Sequence, residues 1–194
     1  GNIVETFPAN EYDFIPNHLT VVKNEFIHVQ WTGSDYHAAN AAGEGTDQTD
    51  RNNMVQIESL NHNYPMSFTE QNLFSKEEAT RIGFGGMKVY GKLCKTLAEL
   101  LVSNDNDDEI EEDELNCAKM NIGDPYFDGG LQPMGTAGTY YYMSTRNNNY
   151  TNRSQKGTIV VEDCTGDDCP AVQDAAGEEE SSSSALTVVA LTIF

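Results

Sequence analysis

Histidine, methionine and cysteine are the side chains in this sequence whose types and spacing could do chemistry. His37, with His28 or His62 and with Met134 or Met143, offers imidazole and thioether donors. That soft set suits Cu(I). His37 is the best placed of these, because it falls in a loop. His28 sits on the face of a predicted strand and reads as a structural histidine. Met143 follows three tyrosines on a strand and reads as packing. The cysteines divide into Cys94 and Cys117, far apart, and Cys164 and Cys169, which close the short loop CTGDDC. A zinc site wants two close pairs of thiolates, or thiolates with nearby histidines. No histidine follows His62, so disulfides read better, with Cys94–Cys117 and Cys164–Cys169 favoured for locality. Four free thiols in a cytosolic protein is the alternative.

Catalytic patterns are absent. The sequence has no G-x-S-x-G elbow, no H-E-x-x-H and no phosphate loop. Ser34, Asp35 and His37 are too close in the chain to stack as a relay. No catalytic residue is assigned, and the chain is not expected to be an enzyme. The acidic run NDNDDEIEEDE, residues 104–114, suggests a calcium loop. The EF-hand pattern fails there, lacking the central glycine and a glutamate at the twelfth position, so a solvated acidic loop is expected.

The chain has 194 residues, 38% of them apolar, enough for one domain with tails. Its formal net charge of −20 repels nucleic acid and anionic membrane surfaces. Two glycosylation sequons, at Asn149 and Asn152, join the paired cysteines in pointing to an extracellular or cell-surface setting. No signal peptide opens the chain, which therefore reads as a mature form or a fragment.

The elements that would position these residues are mostly strands. Residues 18–22 and 26–31 read as strands about a turn at 23–25, with Ile27, Val29 and Trp31 on one face. A long loop runs from 32 to 53. Ser75-Lys76-Glu77-Glu78 is a capping box, opening a helix that stops near Gly83 before the turn Gly83-Phe84-Gly85-Gly86. Leu93, Leu97, Leu100 and Leu101 predict a second helix over about 90–102 with a core-facing stripe. Residues 138–143 and 157–161 return to strand. Several short strands with few helices favour a sandwich or barrel.

The segments 138–142 and 156–161, with the loop between them, resemble the last two strands of a cupredoxin, and 28–35 resembles the strand leading to its first copper histidine. More narrowly, HVQWTGSDYH (28–37), GTDQTDRNN (45–53) and YYYMSTRNNNYTNRSQKG (140–157) resemble the DD3-3 family of extracellular proteins. The resemblance implies an all-β, cupredoxin-like Greek-key β-sandwich, placed over residues 1–172. The helical segment at about 75–103 and the acidic loop at 104–114, read from the residues themselves, are a short insertion in it. The resemblance also implies that copper ligands would come from the loop between the last two strands. That loop, 143–155, holds neither cysteine nor histidine, and Met143 stands about where the thiolate would be. No cofactor is expected, with a nonstandard copper site using His37, Met134 and Met143 as the alternative.

Residues 173–184 form an acidic and serine-rich linker. Residues 185–194 are apolar but too few to span a bilayer. They read as the start of a membrane or lipid anchor, a strand packed in the domain, or an assembly strand lent to a neighbour. The expected partners are other copies of the chain or a cell-surface protein, with membrane contact only through such an anchor. The expected function is a structural or adhesive module, a degenerate cupredoxin in an extracellular assembly or filament.

Overall fold

Alternation of apolar and polar residues builds most of the framework. In the computed structural model, residues 14–31, 51–86, 94–145, 155–166, 169–170 and the backbone of 188–193 are described. The expected loop at 32–50 with His37, both sequons and the 173–184 linker lie outside them. Among the described residues eight strands form: β1 (Phe14–Ile15), β2 (His18–Val22), β3 (Phe26–Trp31), β4 (Val55–Ile57), β5 (Phe127–Pro133), β6 (Gly138–Met143), β7 (Lys156–Glu162) and β8 (Val188–Ile193). They make two four-stranded sheets, in the orders β1-β8-β3-β5 and β2-β7-β6-β4.

One apolar cluster draws on both sheets. Ile27, Val29 and Trp31 from β3 meet Leu19 and Val21 from β2, Tyr140 and Tyr142 from β6, and Ile159 and Val161 from β7. These are every-second-residue sets, as the pleat requires when one face is buried. Trp31 stacks on Phe127 at 4.1 Å, and Phe14 meets Tyr142 edge-on at 4.7 Å. The chain crosses between sheets almost at once, pairing as β1 in the first and, after only Pro16 and Asn17, entering β2 of the second.

On the opposite side the edge strands β4 and β5 are bridged by α1 (Lys76–Gly83). Its Gly83 packs so closely that an added Cβ would lie 3.3 Å from Val55 and from Phe68. Its Arg81 donates to the Gly129 carbonyl at 2.5 Å and lies 5.1 Å from the Phe127 ring centroid. Ser75 caps α1 as expected, its hydroxyl accepting from Glu78 N–H at 3.2 Å. The other half of the box is missing, because the Glu78 carboxylate is taken by Arg81 at 2.6 Å and Gln132 at 3.2 Å.

Three expectations for the middle of the chain are corrected. The second helix, α2 (Leu97–Ser103), starts later than expected, where Thr96 and Glu99 form the complete capping box. Its leucines do not form a core-facing stripe, since only Leu100 is buried and Leu97 and Leu101 are exposed. The acidic run is not simply a loop. Residues Asp107–Glu112 form α3, capped by Asn106, whose side chain accepts from Glu109 N–H at 2.9 Å. Local capping and carboxylates in the first turn, where the helix dipole favours them, give that run its helix.

The cysteines pair as Cys94–Cys117 and Cys164–Cys169, with Cα separations of 5.4 and 5.1 Å. The apolar segment at the C-terminal side, β8, lies inside the first sheet. It runs parallel to β3 over six paired residues and antiparallel to β1.

Candidate functional site

Buried polar side chains gather where β4 begins, β6 ends and β7 begins. Arg51, Asn52 and Asn53 precede β4, Ser144 follows β6 and Gln155 precedes β7, all of them buried. Asn53 is the hub. Its amide donates to the Gly83 carbonyl at 2.8 Å and to Thr145 Oγ1 at 2.7 Å. Its Oδ1 accepts from the Thr145 N–H at 2.8 Å and the Ser144 hydroxyl at 3.3 Å. One side chain thus holds three separate stretches together: the approach to β4, the end of α1 and the exit from β6.

Two neighbours extend this knot. Ser144 N–H donates to the Gln155 carbonyl at 3.0 Å, closing the base of the connection between β6 and β7. Arg51 Nε donates to the Gly123 carbonyl at 2.6 Å, tying the helical insertion to the sheets. Asn52 is buried beside them, with its Oδ1 unpartnered among the described residues. Gly85, at φ +61°, lets α1 turn away here, where a Cβ would lie 3.2 Å from the Asn52 carbonyl.

A blue-copper ion needs two imidazoles and a thiolate. The donors gathered at this end are amides, hydroxyls and a guanidinium, and a guanidinium cannot ligate a cation. All four cysteines are held in disulfides. The described residues here therefore do not fit such an ion. The knot can fix the geometry of the strand connections, because Asn53, Ser144 and Thr145 satisfy one another at low dielectric.

The structure scatters the residues singled out from the sequence. His28 Nε2 lies 2.6 Å from Asp128 Oδ1, the polar partner expected of a structural histidine. That hydrogen bond, with a second from the Gly130 N–H, holds the Asp128 carboxyl below its ordinary pKa. His62 is elsewhere, its Nδ1 3.4 Å from Glu58, at a groove of about 490 Å³ lined by Tyr64, Met66 and Glu70. Met134 is buried in the main core, and Met143 in a separate cluster with Val55 and Ile57. The methionines are therefore not brought together. His37, Asn149 and Asn152 lie outside the described residues. Among the described residues no group of three or more His, Cys, Asp or Glu side chains converges as a metal site. Asn53 was missed by sequence reasoning, which searched for metal ligands. The one available signal was its place in the segment GTDQTDRNN.

The two sheets, with few helices, form a mostly strand-based domain. The family model for the DD3-3 cupredoxin-like domain matches residues 1–161, and the chain belongs to that family. No curated protein and no solved structure matches the chain.

Proposed function

We propose that this chain is a structural module of an extracellular or cell-surface assembly, a cupredoxin-like Greek-key sandwich that has lost its type 1 copper site and works by strand pairing. The observation that carries this reading is β8. It lies beyond the residues matched by the family model, yet it occupies an interior position of the first sheet, between β1 and β3. The slot on β3 is thus filled by a strand from beyond the matched residues. Residues 171–187 join Pro170 to that strand, and a fully extended segment of that length reaches about 60 Å. A strand on such a tether can complete its own sheet or the same slot in a neighbour, and head-to-tail donation gives an open filament.

Other observations support the setting and the loss of copper. Two disulfides suit an oxidising compartment. The first residue after β6, where the connection that carries cupredoxin ligands begins, is the buried Ser144, whose hydroxyl is spent on Asn53.

The test compares the full chain with one ending at residue 184, by light scattering and electron microscopy over a range of concentrations. Full-length protein should form concentration-dependent oligomers. The truncated chain should be monomeric, and added peptide 185–194 should bind it one to one. A full-length chain that stays monomeric throughout overturns the assembly reading. Elemental analysis of protein from its native source tests the rest. Stoichiometric copper that disappears in His37→Ala would replace it with a nonstandard copper protein.

A further inference from the structure

Helix α2 carries an apolar face that its own fold does not use. Leu97, Leu101 and Val102 are 67%, 58% and 88% exposed, and Ala98 between them is exposed as well. Residues four apart are neighbours on a helix surface, so Leu97 with Leu101 and Ala98 with Val102 form two adjacent rows of one patch. Isolated exposed leucines are ordinary on protein surfaces, but four contiguous apolar residues on a seven-residue helix are not.

The patch is also held rigidly. The Cys94–Cys117 disulfide staples the insertion. Lys95 N–H donates to the Leu115 carbonyl at 3.0 Å, and the Lys95 ammonium donates to Ser103 Oγ and Asp113. Asn116 donates to the Ile110 carbonyl at 2.7 Å, and Asn121 to those of Glu111 and Asp113. A surface ordered in advance loses less entropy when it binds.

Its charge selects the partner. Residues 94–119 carry nine acidic and two basic side chains. Both bases are already engaged, Lys95 with Asp113 and Lys119 with Glu111. The exposed carboxylates of Asp105, Asp107 and Asp108 follow α2 closely in the chain. A second copy would bring the same negative surface against this one, and an anionic membrane would be repelled as well.

We propose that this face docks a basic amphipathic segment of a partner protein. Apolar anchors of the partner cover Leu97, Leu101 and Val102, and its lysines or arginines meet the carboxylates of the segment that follows α2. This surface is separate from the β8 slot.

The test uses the intact chain and a fluorescein-labelled synthetic helix of leucine and lysine, about 14 residues or four turns long. A lysine–serine peptide of equal charge is the control, and anisotropy is read at physiological salt. The leucine–lysine peptide should bind, and the control should bind at least about tenfold more weakly. Replacing Leu97, Leu101 and Val102 by serine should cost a similar factor, whereas Tyr64→Ser at another exposed site should leave binding unchanged. Asp107→Asn with Asp108→Asn should weaken binding and flatten its salt dependence. Leu101→Ser alone serves if the triple variant loses its circular dichroism. Undiminished binding in these serine variants would show diffuse attraction to an acidic chain and overturn the proposal. So would a dimer of the intact chain that the triple variant dissolves, because the face would then be a self-interface.

Discussion

Asn53 concentrates more structural work than any residue the sequence singled out. Its removal by Asn53→Ala would leave the Gly83 carbonyl and the Thr145 N–H without their partners. Stranding buried polar groups costs roughly 1–3 kcal/mol each, so about 3 kcal/mol of stability should be lost in urea unfolding. Gly157 makes a sharper prediction. A Cβ there would land on the ring of Tyr142, its directly opposed residue in β6, and both strands are fixed by pairing on either side. Gly157→Ala should therefore destabilise by several kcal/mol, in the range of overpacked cores, and Gly157→Ala with Tyr142→Leu should recover part of that loss. Neither residue was legible as important. An asparagine in a polar run and a glycine before a β-branched strand look ordinary until the opposing chain is in place. His28 was legible, because strand alternation put it among half-exposed positions where a polar partner is the commonest outcome.

Among the elements, legibility followed burial. Strands β2 and β3 alternate over most of their length, β6 and β7 are marked by aromatic and β-branched residues, and the expected ranges differ little from the observed ones. Strand β5 was missed because Gly129 and Gly130 interrupt its pattern where the pairing with β3 slips between His28 and Gln30. That irregularity needs glycine. A Cβ at Gly129 would lie 2.6 Å from the Val29 carbonyl, and Gly130 has a φ of +65°. Helix α2 was misread in register because leucine periodicity reports a helix without reporting what covers it. In α3 the stabilising signals are caps and dipole, which a count of charges hides. The stapled insertion predicts a local effect. Opening Cys94–Cys117 with serines should cost about 3 kcal/mol by loop entropy. Hydrogen exchange should then rise in residues 94–121 well before it rises in β3 or β6.

At the scale of the molecule, acid should be the telling variable. Burial pushes the Asp113 carboxyl up, and hydrogen bonds from Lys95, Asn104 and Leu115 N–H outweigh it, leaving its pKa below the ordinary value. Asp128 is lowered by His28 and then by the Gly130 N–H. Groups whose folded pKa is depressed add stability above their unfolded value, about 3.9 for aspartate, and that stability is lost as pH falls through the lower folded value. The melting temperature should hold between neutral pH and about 5 and fall below about 4. Asp113→Asn should make that fall shallower. That the domain is cupredoxin-like and mostly strand-based was legible from the strands and from three short family-like segments. Where β8 pairs was not, because an apolar run of six residues carries no signal naming its neighbour.

The direction of β8 has a mechanical meaning. It lies between β1 and β3, with ladder bonds on both sides. A pull along its own axis therefore loads those bonds side by side in shear, and they must fail together. A pull across the sheet would open them one at a time, like a zip. A subunit held through such a strand would resist tension along a fibre far better than peeling from its end, and single-molecule stretching in the two directions should give a high and a low rupture force.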